Sequence, residues 1–218
     1  MTADPVKAHD SGIETYVHDY FAEDDTLASA RERGVDAGAG PVSPATGAAL
    51  RFLTATLRAR AVVEVGTGSG VSGLYLLAGM AEGGVLTTID VEPEHQRTAR
   101  RAFTEAGYPA GRARLIMGRG LDVLPRLTDA GYDLVFVDAA RIEYPRYYEQ
   151  GVRLLREGGV IAFDGVFSNG RVSDRSRRDA ETAALRELAA LVRADERLAP
   201  AFVPLADGLL LAAKTATG

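Results

Sequence analysis

Cysteine is absent from the 218 residues, which removes disulfide frameworks, thiolate metal sites and cysteine nucleophiles. Lysine is almost absent: Lys7 and Lys214 are the only two, and arginine supplies nearly all the positive charge. A lysine base is therefore unavailable anywhere between those positions. No apolar run approaches the roughly 20 residues needed to span a bilayer. The first ten residues are polar and lack the apolar core of a signal peptide. Positive charge is not in excess either; the net charge of −5 argues against a nucleic-acid backbone as the main partner. With neither membrane nor nucleic acid indicated, a cytoplasmic location is the expectation. A hydrophobic content of 46% suits one globular domain over 1–218, with 1–40 read as an N-terminal helical extension.

What is present begins with Ala61-Val62-Val63-Glu64-Val65, apolar residues around one acid, the pattern of a strand buried on both faces. Gly66-Thr67-Gly68-Ser69-Gly70 follows, and Leu74 to Ala78 then begins a helical pattern. A strand, a glycine turn and a helix start bring backbone N–H groups and the positive end of a helix dipole to one place. Gly68 to Gly73 matches the G-x-G-x-x-G spacing of dinucleotide folds, which keeps an NAD(P)-dependent oxidoreductase open as one alternative. Register favours another ligand, because the glycine that directly follows the strand is Gly66. Counted from there, Glu64-x-Gly66-x-Gly68-x-Gly70 resembles the first motif of S-adenosylmethionine (SAM)-dependent methyltransferases. A carboxylate at that place can meet an ammonium group, directly or through water, and would repel a pyrophosphate.

Along the chain, residues 1–10 read as mobile. Ile13 to Phe21 and Leu27 to Val35 suggest two short helices, with Asp24 or Asp25 as N-cap of the second. Ser43 and Pro44 start another, whose core stripe is Leu50, Leu53 and Leu57. Strands are expected at Val85 to Asp90, Ala113 to Met117, Tyr132 to Asp138 and Gly158 to Asp164, alternating with helices. That alternation means right-handed βαβ units in a mainly parallel sheet, with Asp90, Asp138 and Asp164 gathered along its carboxyl edge. Asp90 stands where nucleotide-binding α/β folds place a ribose carboxylate. A polar, arginine-rich stretch (169–178) leads to a helix over about Asp179 to Arg193 with an apolar stripe of Leu185, Leu188 and Val192. Phe202 to Leu205 and Leu209 to Ala213, joined through Ala206-Asp207-Gly208, read as an antiparallel hairpin with an Asp-Gly turn.

From Val42-Ser43-Pro44 to that hairpin the sequence resembles the catechol and caffeoyl-CoA O-methyltransferases, and most closely their actinobacterial O-methyltransferase branch. The resemblance implies a Rossmann-like class I methyltransferase fold: a seven-stranded, mostly parallel sheet, a C-terminal antiparallel hairpin, and helices on both faces. It implies that Val42, Glu64, Gly66, Thr67, Gly68, Gly70 and Ser72 hold the methionine part of SAM. Asp90 would bind the ribose, Val91 with Gly118, Arg119, Gly120 and Leu121 would flank the adenine, and Asp138 would sit beside the sulfonium. The family's divalent metal is held by an aspartate after the fourth strand and an Asp-Asn pair after the fifth, with a lysine base three residues past the first aspartate. Here Asp138 and Asp164 match, but Gly165 replaces the asparagine and Arg141 the lysine. Arginine stays protonated and is a poor base. Magnesium would need extra waters or a substitute such as Asn169.

Methyl transfer to a hydroxyl of a small acceptor is the activity these residues imply, with weak or no dependence on a metal. Candidates for moving or balancing the acceptor's proton are Asp138 as base, Arg141 as electrostatic clamp, and His95. Tyr144, Tyr147, Tyr148 and Phe167 either wall an aromatic acceptor or simply pack. A SAM-binding protein without catalysis is the non-enzymatic alternative, motivated by Gly165 and Arg141. A homodimer is expected from the resemblance.

Overall fold

The computed structural model describes residues 12, 15–17 and 19–216. The expectation for residues 1–10 lies outside them. Residues 15–17 and 19–20 are helical, ahead of α1 (Asp25–Asp36). Asp24 caps α1, accepting a bond from the Leu27 amide at 2.9 Å. Ser43 caps α2 (Pro44–Thr56) through the Thr46 amide at 3.0 Å, with Pro44 in the first turn, where its missing N–H costs nothing.

Strand β1 (Ala61–Val65) leads into α3 (Val71–Gly79); β2 (Val85–Asp90) into α4 (Pro93–Glu105); β3 (Ala113–Met117) into the short α5 (Gly120–Val123). β4 (Tyr132–Val137) is followed by a 3₁₀ turn (Arg141–Glu143) and α6 (Tyr144–Leu154), then β5 (Leu155–Asp164), α7 (Ala180–Ala194), β6 (Leu198–Val203) and β7 (Leu209–Lys214). The seven strands lie in the order β3-β2-β1-β4-β5-β7-β6. Strands β1 to β5 pair in parallel, and β7 enters antiparallel against both β5 and β6.

Successive residues of the central strands feed opposite faces. Val63 and Val65 of β1, with Val135 and Val137 of β4, pack under α6 and α7; Val62, Leu134 and Phe136 pack under α2 to α4. This two-sided burial is why the strands read as unbroken apolar runs. Each fully buried large apolar side chain contributes about 1.5–3 kcal/mol, so the layered core, more than helix propensity, holds the sheet.

Two expectations are corrected. β5 begins at Leu155, before Gly158: Leu155 pairs with Tyr132, the register then shifts, and Gly158 takes the left-handed φ of +74° that the shift requires. The first hairpin strand is Leu198–Val203, not Phe202 to Leu205, so Pro204 and Leu205 join a turn longer than a two-residue Asp-Gly turn. Ala206 and Gly208 adopt positive φ, while Asp207 does not, and its carboxylate is engaged elsewhere.

Strand order reverses at β1, flanked by β2 on one side and β4 on the other. In open α/β sheets the carboxyl end of such a switch point is where ligands lodge.

Candidate functional site

The chain turns sharply at the end of β1. The Gly66 amide donates to Ile89 O and the Asp138 amide to Val65 O, each at 2.9 Å, which ties the ends of β1, β2 and β4 together. Gly66 has φ +99°, and a Cβ there would come within 1.8 Å of the Asp138 carbonyl oxygen. Only glycine lets the two strand ends approach this closely.

A cleft of about 250 Å³ opens above this turn. Val42, Gly66, Thr67, Gly68, Ser72, Asp90, Val91 and Asp138 all line it, as does His95. A second cleft of about 400 Å³ shares Gly66, Asp90 and Val91 with the first and continues to Gly118, Arg119 and Gly120. The two form one groove along the carboxyl ends of β1 to β4. Most of the residues singled out for the cofactor thus meet along one surface.

Three stand back from it. Leu121 packs against the core beneath the groove instead of flanking it. Gly70 caps α3 in the left-handed conformation and lines neither cleft. Glu64 is fully buried. Its oxygens accept from Ser72 Oγ at 2.6 Å and Thr88 Oγ1 at 2.5 Å, so a ligand reaches it only through Ser72. Burial pushes this carboxyl up to about 7, against the pull of those two hydroxyls.

Asp90 is turned inward as well as toward the groove. Its Oδ2 accepts from the Gly68 amide at 3.0 Å and its Oδ1 from the Glu92 amide at 2.9 Å, so it fixes the glycine loop. His95 Nδ1 lies 3.1 Å from Asp90 Oδ2, one helical turn into α4 and mostly covered. Gln96 Nε2 donates to Thr67 Oγ1 at 3.3 Å and to Ile116 O at 3.1 Å, locking the loop from the far side. Gln96 and Thr88 escaped the sequence reading because neither belongs to the glycine motif. Their only signal is a polar residue on an otherwise core-facing strand or helix.

The expected metal set does not assemble. Asp138 and Asp164 stand on adjacent strand ends; burial raises both carboxyls, and the neighbouring Asp138 raises Asp164 further, while Arg141 pulls both down. The place of a third ligand is taken by a guanidinium: a Cβ at Gly165 would lie 2.2 Å from Arg141 Nη2. Arg141 pairs with Asp207 at 3.1 Å and with Glu181 at 3.3 Å. Among the described residues no group of three or more His, Asp or Glu side chains is arranged to hold a metal. Two carboxylates beside a fixed cation do not fit magnesium. The Asn169 backbone N–H donates to Asp207 Oδ1 at 2.5 Å, a bond that leaves its side chain out.

The tyrosines expected either to wall an acceptor or to pack are all buried. Tyr144 donates to Asp164 O at 3.0 Å, Tyr147 to Glu143 at 2.7 Å and Tyr148 to Asp195 at 2.5 Å. Tyr147 also lines the second cleft, and Phe167 lines a separate cavity of about 960 Å³ with Ser43, Asn169, Val172, Pro204 and Asp207. Ser43 directly follows Val42 of the groove, which sets this cavity beside the cofactor clefts.

A family profile described as O-methyltransferase matches residues 21–215. A protein of Mycobacterium sp. (strain KMS) named "Putative O-methyltransferase" is 55% identical over 216 residues, 98% of each chain. Among solved structures, an O-methyltransferase from Bacillus cereus in complex with S-adenosylhomocysteine (SAH) superposes with TM-score 0.85 at 27% identity, covering 94% of this chain and 97% of that one. TomG from Streptomyces achromogenes, an O-methyltransferase of tomaymycin synthesis solved with SAM, superposes with TM-score 0.83 at 29% identity, covering 89% and 92%. The fold is that of the class I methyltransferases, and the chain belongs to the O-methyltransferase family.

Proposed function

We propose that this chain is a SAM-dependent O-methyltransferase that methylates a hydroxyl of a small acceptor. The observation that carries the proposal is the single groove running from Val42 and Ser72, across Gly66 and Asp90, to Gly118 and Gly120. It offers an amino-acid end, a carboxylate for a sugar and a flat apolar end for a base, in that order. SAM supplies a methyl group already activated by its sulfonium, so transfer is an in-line displacement in which the S–CH₃ bond breaks as an O–CH₃ bond forms.

The chain's own residues have three tasks. The Val42 region, Gly66, Thr67, Gly68 and Ser72 present backbone and hydroxyl groups to the methionine part, with Glu64 orienting Ser72 from below. Asp90 takes the ribose hydroxyls, and Val91 with residues 118–120 holds the adenine. Asp138, on the wall of the groove, accepts the acceptor's proton; burial raises its carboxyl above the ordinary aspartate range, which makes it a better base than an exposed aspartate. Alignment of the acceptor against the methyl group supplies most of the remaining rate.

The acceptor enters through the cavity lined by Phe167 and Asn169. A homodimer and a cytoplasmic location complete the proposal on the strength of the family resemblance; light scattering on the purified protein tests the first. Incubation with methyl-labelled SAM and a panel of phenols, catechols and hydroxy acids tests the activity. Label on an acceptor oxygen supports it. SAM bound with no transfer to any acceptor would favour a binding protein without catalysis, and transfer undiminished in Asp138→Asn would remove Asp138 as the base.

A further inference from the structure

Two carboxylates buried side by side need a positive charge or a proton between them. The positive charge beside Asp138 and Asp164 is a guanidinium. Arg141 leaves the 3₁₀ turn after β4 and lies across Gly165, where a Cβ would come within 2.2 Å of Nη2 and 2.8 Å of Cζ. Its Nη2 donates to Asp207 Oδ2 in the hairpin turn, at 3.1 Å, and its Nη1 to Glu181 Oε1 at the start of α7, at 3.3 Å. Both acceptors are themselves held. Ser168 Oγ and Arg171 Nη2 donate to Glu181 at 2.8 and 3.0 Å, and the Asn169 amide donates to Asp207 Oδ1. A long side chain is thereby fixed from three separate segments. Asp164 Oδ1, by contrast, is buried with no hydrogen-bond partner among the described residues.

We propose that Arg141 is the resident cation of this site: with Gly165 it forms a matched pair that excludes a divalent metal, and its bonds tie the 3₁₀ turn after β4 to α7 and to the hairpin. The consequence for catalysis rests on the methyltransferase reading; the exclusion itself rests on the geometry. Gly165 has φ +66°, a conformation asparagine tolerates better than most residues, so the backbone alone does not bar a ligand there. The guanidinium does. Restoring a side chain at 165 therefore requires removing Arg141 as well. Arginine keeps its charge at any pH at which the protein folds, so the site has a cation that chelators cannot remove. Arg141 acts as a positioning residue, since no proton passes through it. An acceptor in this site needs no vicinal pair of hydroxyls, because nothing is chelated.

Mn²⁺ titration of the whole protein, followed by electron paramagnetic resonance, tests the proposal. Melting temperature with and without EDTA and calorimetric SAH binding are measured in parallel. Wild type is expected to bind no Mn²⁺ and to melt at the same temperature in EDTA. The double variant Arg141→Ala/Gly165→Asn is expected to gain one Mn²⁺ site while still binding SAH. A stoichiometric Mn²⁺ ion on wild type overturns the proposal; so does a folded, SAH-binding double variant that gains none. Should the double variant fail to fold, Arg141→Ala alone decides. Methylguanidinium is then expected to raise its melting temperature while leaving wild type unmoved, and the absence of that difference overturns the proposal. Loss of SAH binding by wild type would sink the methyltransferase reading and leave the metal result standing, so the two failures are distinguishable.

Discussion

At the scale of single residues, Glu64 and Asp90 show how a motif residue can serve a ligand from behind. Glu64 never reaches the groove; it spends both oxygens on Ser72 and Thr88. Its carboxyl stands at about 7 in the folded protein against an ordinary 4.5, because burial penalises the charged form. A raised carboxyl means that folding favours the protonated form. Its contribution to stability is complete below the unfolded value, declines as pH rises, and is gone above about 7, a change of about 3 kcal/mol. Urea unfolding on both sides of that window should show Glu64→Gln flattening this part of the profile. A variant profile as steep as wild type would assign the dependence to other groups. Asp90→Ala should weaken SAH binding by about 1.5–3 kcal/mol, the range for hydrogen bonds to a charged group. Calorimetry measures it, and unchanged affinity would remove Asp90 from the site.

The acid at position 64 was legible because a lone charge in an apolar strand demands a partner. That its partners are two internal hydroxyls was not, since Ser72 and Thr88 are brought to it only by the turn into α3 and by β2. The direction of the Leu121 side chain was hidden for a similar reason. The loop after β3 is visible in Gly118 and Gly120, but which side chain of the following turn faces inward depends on tertiary packing.

At the scale of elements, the first four strands announced themselves, β5 and β6 only in part, and turns did not. β1, β2 and β3 begin and end where their apolar runs do, and Asp24, Ser43 and Asp179 cap the helices that follow them. The hairpin turn was misread because Asp207 and Gly208 mimic a two-residue loop, whereas Asp207 is drawn away by Arg141 and the Asn169 amide. Another long-range device was equally hidden. Arg31 on α1 donates to Glu23 through Nε and Nη2 at 2.7 and 2.5 Å and to the Val42 carbonyl through Nη1 at 2.7 Å. Tyr75 of α3 donates to the same glutamate at 2.9 Å. This latch holds the segment before α2 against the methionine end of the groove. Arg31→Ala should destabilise the fold by about 1.5–3 kcal/mol in chemical unfolding. It should also weaken SAH binding, because Val42 loses its support. A loss of stability with SAH affinity intact would confine the latch to a structural role.

At the scale of the whole molecule, the groove lies where the strand order turns back on itself; loops from the carboxyl ends of β1 to β4 line it, and the segment before α2 closes it at Val42. Gly66 is the hinge of that arrangement. Gly66→Ala sets a methyl group against the Asp138 carbonyl and should part the ends of β1 and β4. Its melting temperature is expected to fall well below that of wild type, and saturating SAH is expected to restore little of it; a wild-type melting curve would mean that the strand ends can separate freely. The class of the fold could be read from the alternation of strands and helices. The acceptor end could not, because the cavity beside Phe167 is assembled from Val17 ahead of α1, the start of α2, the loop after β5 and the hairpin, four stretches spread along the chain.

The central claim is that one groove at this switch point takes the adenosyl cosubstrate. Calorimetric titration of the purified protein with SAH, and separately with NADH, tests it most directly. The account expects one SAH bound per chain, its heat lost or greatly reduced in Asp90→Ala, and no binding of NADH; a protein that binds NADH and gives no heat with SAH would contradict it.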